Sequence, residues 1–346
     1  MSPQPNSWQS PGEAEFDLRS DTITRPTESM LQAISRSTLS DDVFQEDQTT
    51  NSLQEYIAQR TGHDAGLLVL SGTMGNQVAI RTHLSEPPYS VICDRRAHIL
   101  QSEAGNDHYL TLEDIQENAV LSNNIHRCPT RLISLENTLY GLIMPLQETA
   151  RIVNWAHAHD IKVHLDGARL WDAAVSGAGS LYDYAHLFDS VSLCFSKGLG
   201  APIGSIIVGS RRFIDKARWF RKSIGGGIRQ AGILAAAARV GVDEVFGHGP
   251  CGEGGKLQEA HDKARRVAEM WTRRGGKLLY PVQTNMVWVD VSSAGLQLST
   301  LASVGKSKGL RLGEQRIVIH HQISERTLQR LEEVFHIVLN QRQSKL

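Results

Sequence analysis

The sequence predicts an α/β protein: a mostly parallel sheet with helices on both faces and a smaller α+β unit at the C-terminus. Three observations predict it. From Ala65 onward, apolar runs of strand length alternate with stretches of helix length, as in parallel strands joined by crossover helices. Two of the runs end in chemically active residues, Asp166 and Lys197, at the carboxyl ends of strands, where open α/β sheets bind ligands. The chain has 346 residues, enough for a large core and a second domain.

Residues 1–15, MSPQPNSWQSPGEAE, are polar and rich in Pro, Ser and Gln. They read as a flexible N-terminal arm without the apolar core of a signal peptide. Residues 16–250 form the expected large α/β domain. Within it, Pro26 to Ser35 predicts a short helix, Ser40 to Thr50 an acidic loop, and Asn51 to Thr61 an amphipathic helix. AGLLVLSG (65–72) predicts a strand, and GTMGNQVAIRTHL (72–84) a helix opening at its glycines. SVICD (90–94) and RLISLEN (131–137) predict strands, and PLQETARIVNWAHAHD (145–160) a helix with Pro145 in its first turn. Strands follow at 162–165, 190–195 and 203–208, with helices near 211–222 and 229–245. GHGPCGEGG (247–255) is a breaker cluster that marks a domain junction. Residues 251–346 then form the small C-terminal α+β domain, with a basic helix from Lys256 to Arg274, a strand near Asn285 to Val291, a further helix and RIVIHHQI.

Composition excludes several classes. With 36 basic and 37 acidic residues the net charge is −1, which gives no basic surface for nucleic acid or another polyanion. The four cysteines, Cys93, Cys128, Cys194 and Cys251, lack metal-ligand or disulfide spacing and suit reduced thiols. No apolar run approaches the ~20 residues that span a bilayer. The chain reads as a soluble cytoplasmic protein with no metal, nucleic-acid or membrane partner.

The chemistry centres on SVSLCFSKGLGAPIGSIIVG (190–209). A lysine at the end of a buried strand, with Gly198 and Gly200 letting the backbone turn close to a ligand, is unusual. A buried amine is nucleophilic and condenses with aldehydes. A surface lysine in a hairpin turn is the bland alternative. Asp166 in KVHLDGARL (162–170) tips the balance, because a carboxylate and an amine at two strand ends are what pyridoxal 5'-phosphate requires. The amine holds the aldehyde, and the carboxylate keeps the ring nitrogen protonated. Gly72 and Thr73, in SGTMGN (71–76), fall at a helix N-terminus that suits a phosphate. His98 follows a strand end and could stack on the ring and exchange protons; His126 is a second candidate on the same argument, and both stay open. Arg169 could reach the cofactor's phenolic oxygen or a substrate carboxylate, and Arg316 could clamp the carboxylate from the small domain. Lys222 and Arg229 flank a glycine loop (225–227) that could pass over a phosphate, including a neighbouring subunit's.

FDLRSDTITRPT, DDVFQED, SGTMGN, the histidine of RRAHI, SLENT, HLDGARL, SKGLGAPIGSIIVG, RKSIGGGIRQAGILAAA and TNMVWV occur in that order. Together they resemble the low-specificity L-threonine aldolases, pyridoxal-phosphate enzymes of the aspartate-aminotransferase fold type (fold type I). The resemblance runs from Phe16 to about Ile323, and fungal alanine racemases of peptide-toxin pathways carry similar motifs. It implies a seven-stranded-type sheet and a small-molecule amino-acid substrate, with retro-aldol cleavage of threonine or allo-threonine to glycine and acetaldehyde. It makes Lys197 the cofactor lysine, Asp166 the ring-nitrogen partner and His98 the stacking residue. Gly72 and Thr73 would meet the phosphate; Ser20, Arg169 and Arg316 would hold the substrate carboxylate, and His126 would line the aldehyde side. Arg229 would reach a neighbouring site in a homotetramer, a dimer of dimers. Three departures stand out. After EAG (103–105), NDHY leads straight into LTLEDI, so roughly fifteen residues, about one strand with its turns, are expected to be absent. Phe44 stands where the resemblance implies tyrosine, and Gln48 where it implies proline. Aldolase, racemase and catalytically impaired homologue are the three readings these features support.

Overall fold

The computed structural model describes residues 7–99, 109–122 and 124–343. In chain order the first part contains α1 (Glu28–Ser35), α2 (Gln48–Thr61), β1 (Ala65–Val69), α3 (Gly72–His83), β2 (Ser90–Cys93), α4 (Leu112–Asn118) and β3 (Thr130–Glu136). There follow α5 (Leu146–Ala158), β4 (Lys162–Asp166), α6 (Leu170–Val175), α7 (Leu181–Ala185), β5 (Ser190–Cys194), β6 (Ser205–Gly209), α8 (Arg211–Ser223) and α9 (Gly232–Gly241). The C-terminal part holds α10 (Leu257–Thr272), β7 (Lys277–Leu278), β8 (Met286–Asp290), α11 (Ser299–Ser307), β9 (Arg316–Val318) and α12 (Glu325–Gln343).

The large sheet has the order β1-β6-β5-β4-β3-β2. Strands β2 to β5 pair in parallel, and β6 runs antiparallel to both β5 and β1. The reversal follows from the connection: β5 and β6 are neighbours joined by residues 195–204 with no crossover helix, so the chain must turn back. All five residues of β1, β5 and β6 are buried, as expected for apolar strands covered on both faces. The register aligns Glu136 with Asp166, Asp166 with Ser192, and Cys194 with Ser205. The carboxyl ends of β3, β4 and β5 therefore share one edge of the molecule.

Among the described residues this sheet has six strands, and β2 is an edge, only half-buried. The expected shortening falls on Glu103 to Tyr109, and residues 100–108 lie outside the described residues. The inner strands keep their pairing.

A second sheet, β7-β8-β9, packs with α10 and α12 around Trp271 and Phe335, whose rings meet edge to face at 5.0 Å. Leu18 is part of this C-terminal core. The backbone there is paired too: Leu18 N–H donates to Arg311 O, and Val318 N–H donates to Leu18 O. A strap from the start of the chain is thus sewn to the C-terminal sheet, and its next residues, Ser20 and Asp21, are delivered to the ligand edge of the large sheet.

Helix starts follow their caps. Helix α2 begins at Gln48 rather than Asn51, because the Asp47 carboxylate accepts the N–H of Thr50 at 2.8 Å. Helix α3 begins at Gly72 with Ser71 as its cap. Among the described residues no helix is long and apolar enough to cross a membrane.

Candidate active site

Lys197 sits three residues beyond β5 in a tight turn. Gly200 has φ +77°, a left-handed conformation that glycine accepts without strain, and its N–H closes on Lys197 O at 2.9 Å. The turn is held from both parts of the molecule: Thr24 Oγ1 donates to Lys197 O at 2.8 Å, and His321 Nδ1 lies 3.1 Å from Gly198 O. The Lys197 side chain is half-buried, and its charge is felt by Asp21 and Glu136. Among the described residues no hydrogen bond or ion pair engages its ammonium.

Asp166 ends β4 and is 5 % exposed. Its Oδ2 accepts from Asn76 Nδ2 at 2.5 Å and its Oδ1 from the Ala168 N–H at 3.1 Å. A carboxylate offers about four acceptor positions, so capacity remains for a ring N–H. Gly72, the first residue of α3, is pressed against the end of β5: a Cβ there would come within 2.8 Å of Cys194 Sγ. The open N-terminus of α3, with Gly72 and the exposed Thr73, is therefore brought to the same edge as Asp166 and Lys197.

Arg169 is committed to a partner that the sequence did not reveal. Its Nε and Nη2 donate to the two oxygens of Asp21 at 2.7 and 2.6 Å, a bidentate fork across 148 residues. Burial alone would raise the Asp21 pKa, but the charge and hydrogen bonds of Arg169, helped by Lys197, hold it down at about 2. Arg316 lies close by: burial and then the charge of Arg169 lower its pKa, and its guanidinium is 5.9 Å over the Trp288 ring. Ser20 adjoins Asp21. Its Oγ accepts from the Thr22 N–H at 3.2 Å and from Thr22 Oγ1 at 2.9 Å, which leaves its own O–H to donate. Two cations thus face Asp21, with the Ser20 hydroxyl one residue away in the chain.

Glu136 is a second residue missed from sequence. It ends β3 beside Asp166 and accepts the backbone N–H of His98 at 2.8 Å, so it ties the His98 loop to the site. Burial, and next the negative charge of Asp166, push its pKa up to about 7. Its signal was visible in SLENT, an acid at the end of an apolar strand, but its neighbours were not.

Two predicted residues are not brought into this cluster within one chain. His126 lies on an exposed loop before Thr130, at the opposite end of β3 from Glu136. Seven strand residues separate the ends, about 20 Å. Within one chain, His98 is therefore the histidine tied to this edge, and His126 is not. Arg229 is exposed on the loop before α9; its carbonyl accepts the Asp42 N–H at 2.7 Å.

These residues fit pyridoxal phosphate: a half-buried amine without a partner among the described residues, a buried carboxylate with acceptor capacity left, and a helix N-terminus at the same sheet edge. An amine and a carboxylate at neighbouring strand ends in this topology mark the pyridoxal-phosphate-dependent enzymes of fold type I, and this chain is one of them. Comparison with known proteins narrows the class. The chain belongs to the beta-eliminating lyase family, matched over residues 17–294, and within it to the low-specificity L-threonine aldolases and their relatives. It is 49% identical to Aldolase vrtJ of Penicillium aethiopicum, over 94% of this chain and 87% of that protein. It is 46% identical to a probable low-specificity L-threonine aldolase of Schizosaccharomyces pombe (92% and 86%) and 41% identical to Alanine racemase TOXG of Cochliobolus carbonum (96% and 90%). Among solved structures, a threonine aldolase from Leishmania major shares the fold, with a TM-score of 0.79 over 94% of this chain and 99% of that chain at 18% identity.

Proposed function

We propose that the protein cleaves L-threonine or L-allo-threonine to glycine and acetaldehyde. The observation that carries this is the grouping of Arg169 and Arg316 around Asp21 within the field of Lys197, a clamp for an amino-acid carboxylate next to the cofactor's anchoring amine, with Ser20 adjoining Asp21 in the chain. Bound there, pyridoxal phosphate supplies an electron sink for the pair released when the Cα–Cβ bond breaks. Lys197 would anchor its aldehyde carbon, Asp166 would face the ring nitrogen, and Gly72 and Thr73 would hold the phosphate. The arginines would fix the substrate carboxylate and so select which bond at Cα breaks. His98, tied down by Glu136, takes the proton from the β-hydroxyl as the aldehyde leaves. Lys197 returns a proton to Cα, which completes glycine.

A second reading, alanine racemisation, is favoured by the 41% identity to a protein named as an alanine racemase. It aligns the Cα–H bond instead and needs a proton donor on each face of the ring. Incubating the purified holoenzyme with L-threonine and with L-alanine separates the two. Acetaldehyde supports the aldolase, D-alanine supports the racemase, and neither product supports a catalytically impaired homologue.

We also propose a homotetramer of two-fold dimers in which Arg229 serves a neighbouring copy. Phe44 (74 % exposed) with Leu39 and Val43, and Ile224 after α8 with Ile233 in the first turn of α9, place apolar side chains on two segments joined by the Asp42–Arg229 backbone bond. Apolar surface of this kind beside the exposed Arg229 suits burial against a second chain. Sedimentation equilibrium tests it; a monomer at micromolar concentration would overturn it.

A further inference from the structure

Beneath the sheet-facing side of α3 runs a line of polar residues that the functional reading leaves unused. Asn76 and His83 lie seven residues apart, on one face of α3. His164 and Asp166 lie on one face of β4, and Ser190 is paired with His164 across to β5. Asn76, His164 and Ser190 are 2 %, 0 % and 0 % exposed. Their contacts form one continuous path. Asn76 Nδ2 meets Asp166 Oδ2 at 2.5 Å, Asn76 Oδ1 meets His164 Nε2 at 3.2 Å, His164 Nδ1 meets Ser190 Oγ at 2.8 Å, and Ser190 Oγ meets His83 Nε2 at 2.8 Å.

The proton positions follow from the carboxylate end. An ionised carboxylate accepts only, so the Asn76 amide turns its NH2 to Asp166 and its oxygen to His164. His164 must then carry its proton on Nε2. Burial holds the pKa of His164 down at about 4 and that of His83 at about 3, so both rings are neutral at pH 7. With Nε2 protonated, Nδ1 of His164 is bare and accepts the Ser190 O–H. Ser190 Oγ, its proton committed, accepts the Nε2–H of His83, whose ring stacks on Phe213 at 4.5 Å. Every donor along the path points toward Asp166. Aligned hydrogen bonds polarise one another, and a missing link would leave a buried polar group unpaired.

We propose that Asn76, His164, Ser190 and His83 act as a one-way hydrogen-bond chain that positions the Asp166 carboxylate for the ring nitrogen of the cofactor. They are positioning residues, since they act through Asp166. The proposal rests on the reading of Asp166 as the ring-nitrogen partner. Turning the Asp166 carboxylate away from the ring plane would cost the holoenzyme the contact to the nitrogen and nothing else in the cofactor site.

That selectivity supplies the test. Dissociation constants are measured by equilibrium dialysis for pyridoxal phosphate and for its carbocyclic analogue, in which C–H replaces the ring nitrogen. Wild type is compared with Asn76→Leu, His164→Leu, His164→Gln and the milder Ser190→Ala, with near-ultraviolet circular dichroism to verify folding. Asn76→Leu and His164→Leu should lose about ten- to a hundredfold in affinity for pyridoxal phosphate and less than twofold for the analogue. Ser190→Ala, further along the path, should lose about threefold for pyridoxal phosphate alone. His164→Gln keeps a donor for Asn76 and should recover most of the loss. Equal losses for both ligands, or no loss for pyridoxal phosphate in folded variants, would overturn the chain's role and leave the cofactor reading standing. Failure of wild-type protein to prefer pyridoxal phosphate over the analogue would overturn the assignment of Asp166 and the chain with it.

Discussion

Asp21→Asn should weaken glycine binding to the holoenzyme by about ten- to a hundredfold, and should do so through Arg169. The magnitude comes from the fork. Arg169 gives two N–H groups to the Asp21 carboxylate at 2.7 and 2.6 Å, with Asp21 fully enclosed. The drop in the Asp21 pKa from 3.8 to about 2 corresponds to about 2.5 kcal/mol of preference for the charged form, set mainly by Arg169 against the cost of burial. Asparagine keeps the shape but removes the charge, and it turns an N–H toward the guanidinium. An arginine released from its fork holds a carboxylate less well, and one charge-assisted hydrogen bond is worth about 1.5–3 kcal/mol. The assay is a glycine titration followed by cofactor absorbance, for wild type, Asp21→Asn, Arg169→Lys and the double variant. Because Asp21 acts through Arg169, the double variant should bind no worse than Arg169→Lys alone. Losses that simply add would refute the coupling. The pair should also be indifferent to pH in the working range: a lowered carboxylate pKa contributes stability that is present above about 3.8 and lost as pH falls through about 2.

Three further outcomes follow from other parts of the structure. Glu136, with its pKa raised from 4.5 to about 7 by burial and Asp166, contributes stability that is full below about 4.5 and lost as pH rises through 7. Melting temperatures should therefore fall more from pH 5 to pH 8 in wild type than in Glu136→Gln, and parallel curves would contradict this. Gly75→Ala should destabilise by about 1–3 kcal/mol, because its Cβ would sit 2.6 Å from Ser192 Oγ and lever α3 off the sheet. Adding Ser192→Ala, which removes a buried hydroxyl that has no partner among the described residues, should restore most of the loss in a thermal melt. Gln48→Pro should stabilise by about 0.4–1 kcal/mol. Gln48 is the first residue of α2, and Asp47 before it is extended (φ −77°, ψ 107°), as a residue preceding proline needs to be; a lower melting temperature would show that the Gln48 N–H or side chain matters.

The sequence displayed what is local. Apolar runs gave the strands, glycines and Pro145 gave helix starts, and the two strand ends gave Asp166 and Lys197, since a buried charged residue at such a place has few bland explanations. It hid what depends on distance along the chain. Asp21 pairs with Arg169 across 148 residues, and Asn76 meets Asp166 across 90, so no spacing rule could have joined them. His164 looked like an ordinary strand residue because alternation marks only which face it takes, not what stands on the helix above. The His126 loop lies at the other end of β3 from Glu136, a placement within the chain that spacing alone does not give, because a strand has two ends. The reversal of β6 was likewise set by a ten-residue link (195–204) too short for a crossover helix.

The central claim, that Lys197 carries the cofactor opposite Asp166, is tested most directly by reducing the holoenzyme with borohydride and mapping the modified peptide by mass spectrometry. The account predicts a single pyridoxyl-phosphate adduct, on Lys197, and neither adduct nor visible absorbance in Lys197→Ala. An adduct on another lysine, or a Lys197→Ala protein that keeps its absorbance and turnover, would contradict it.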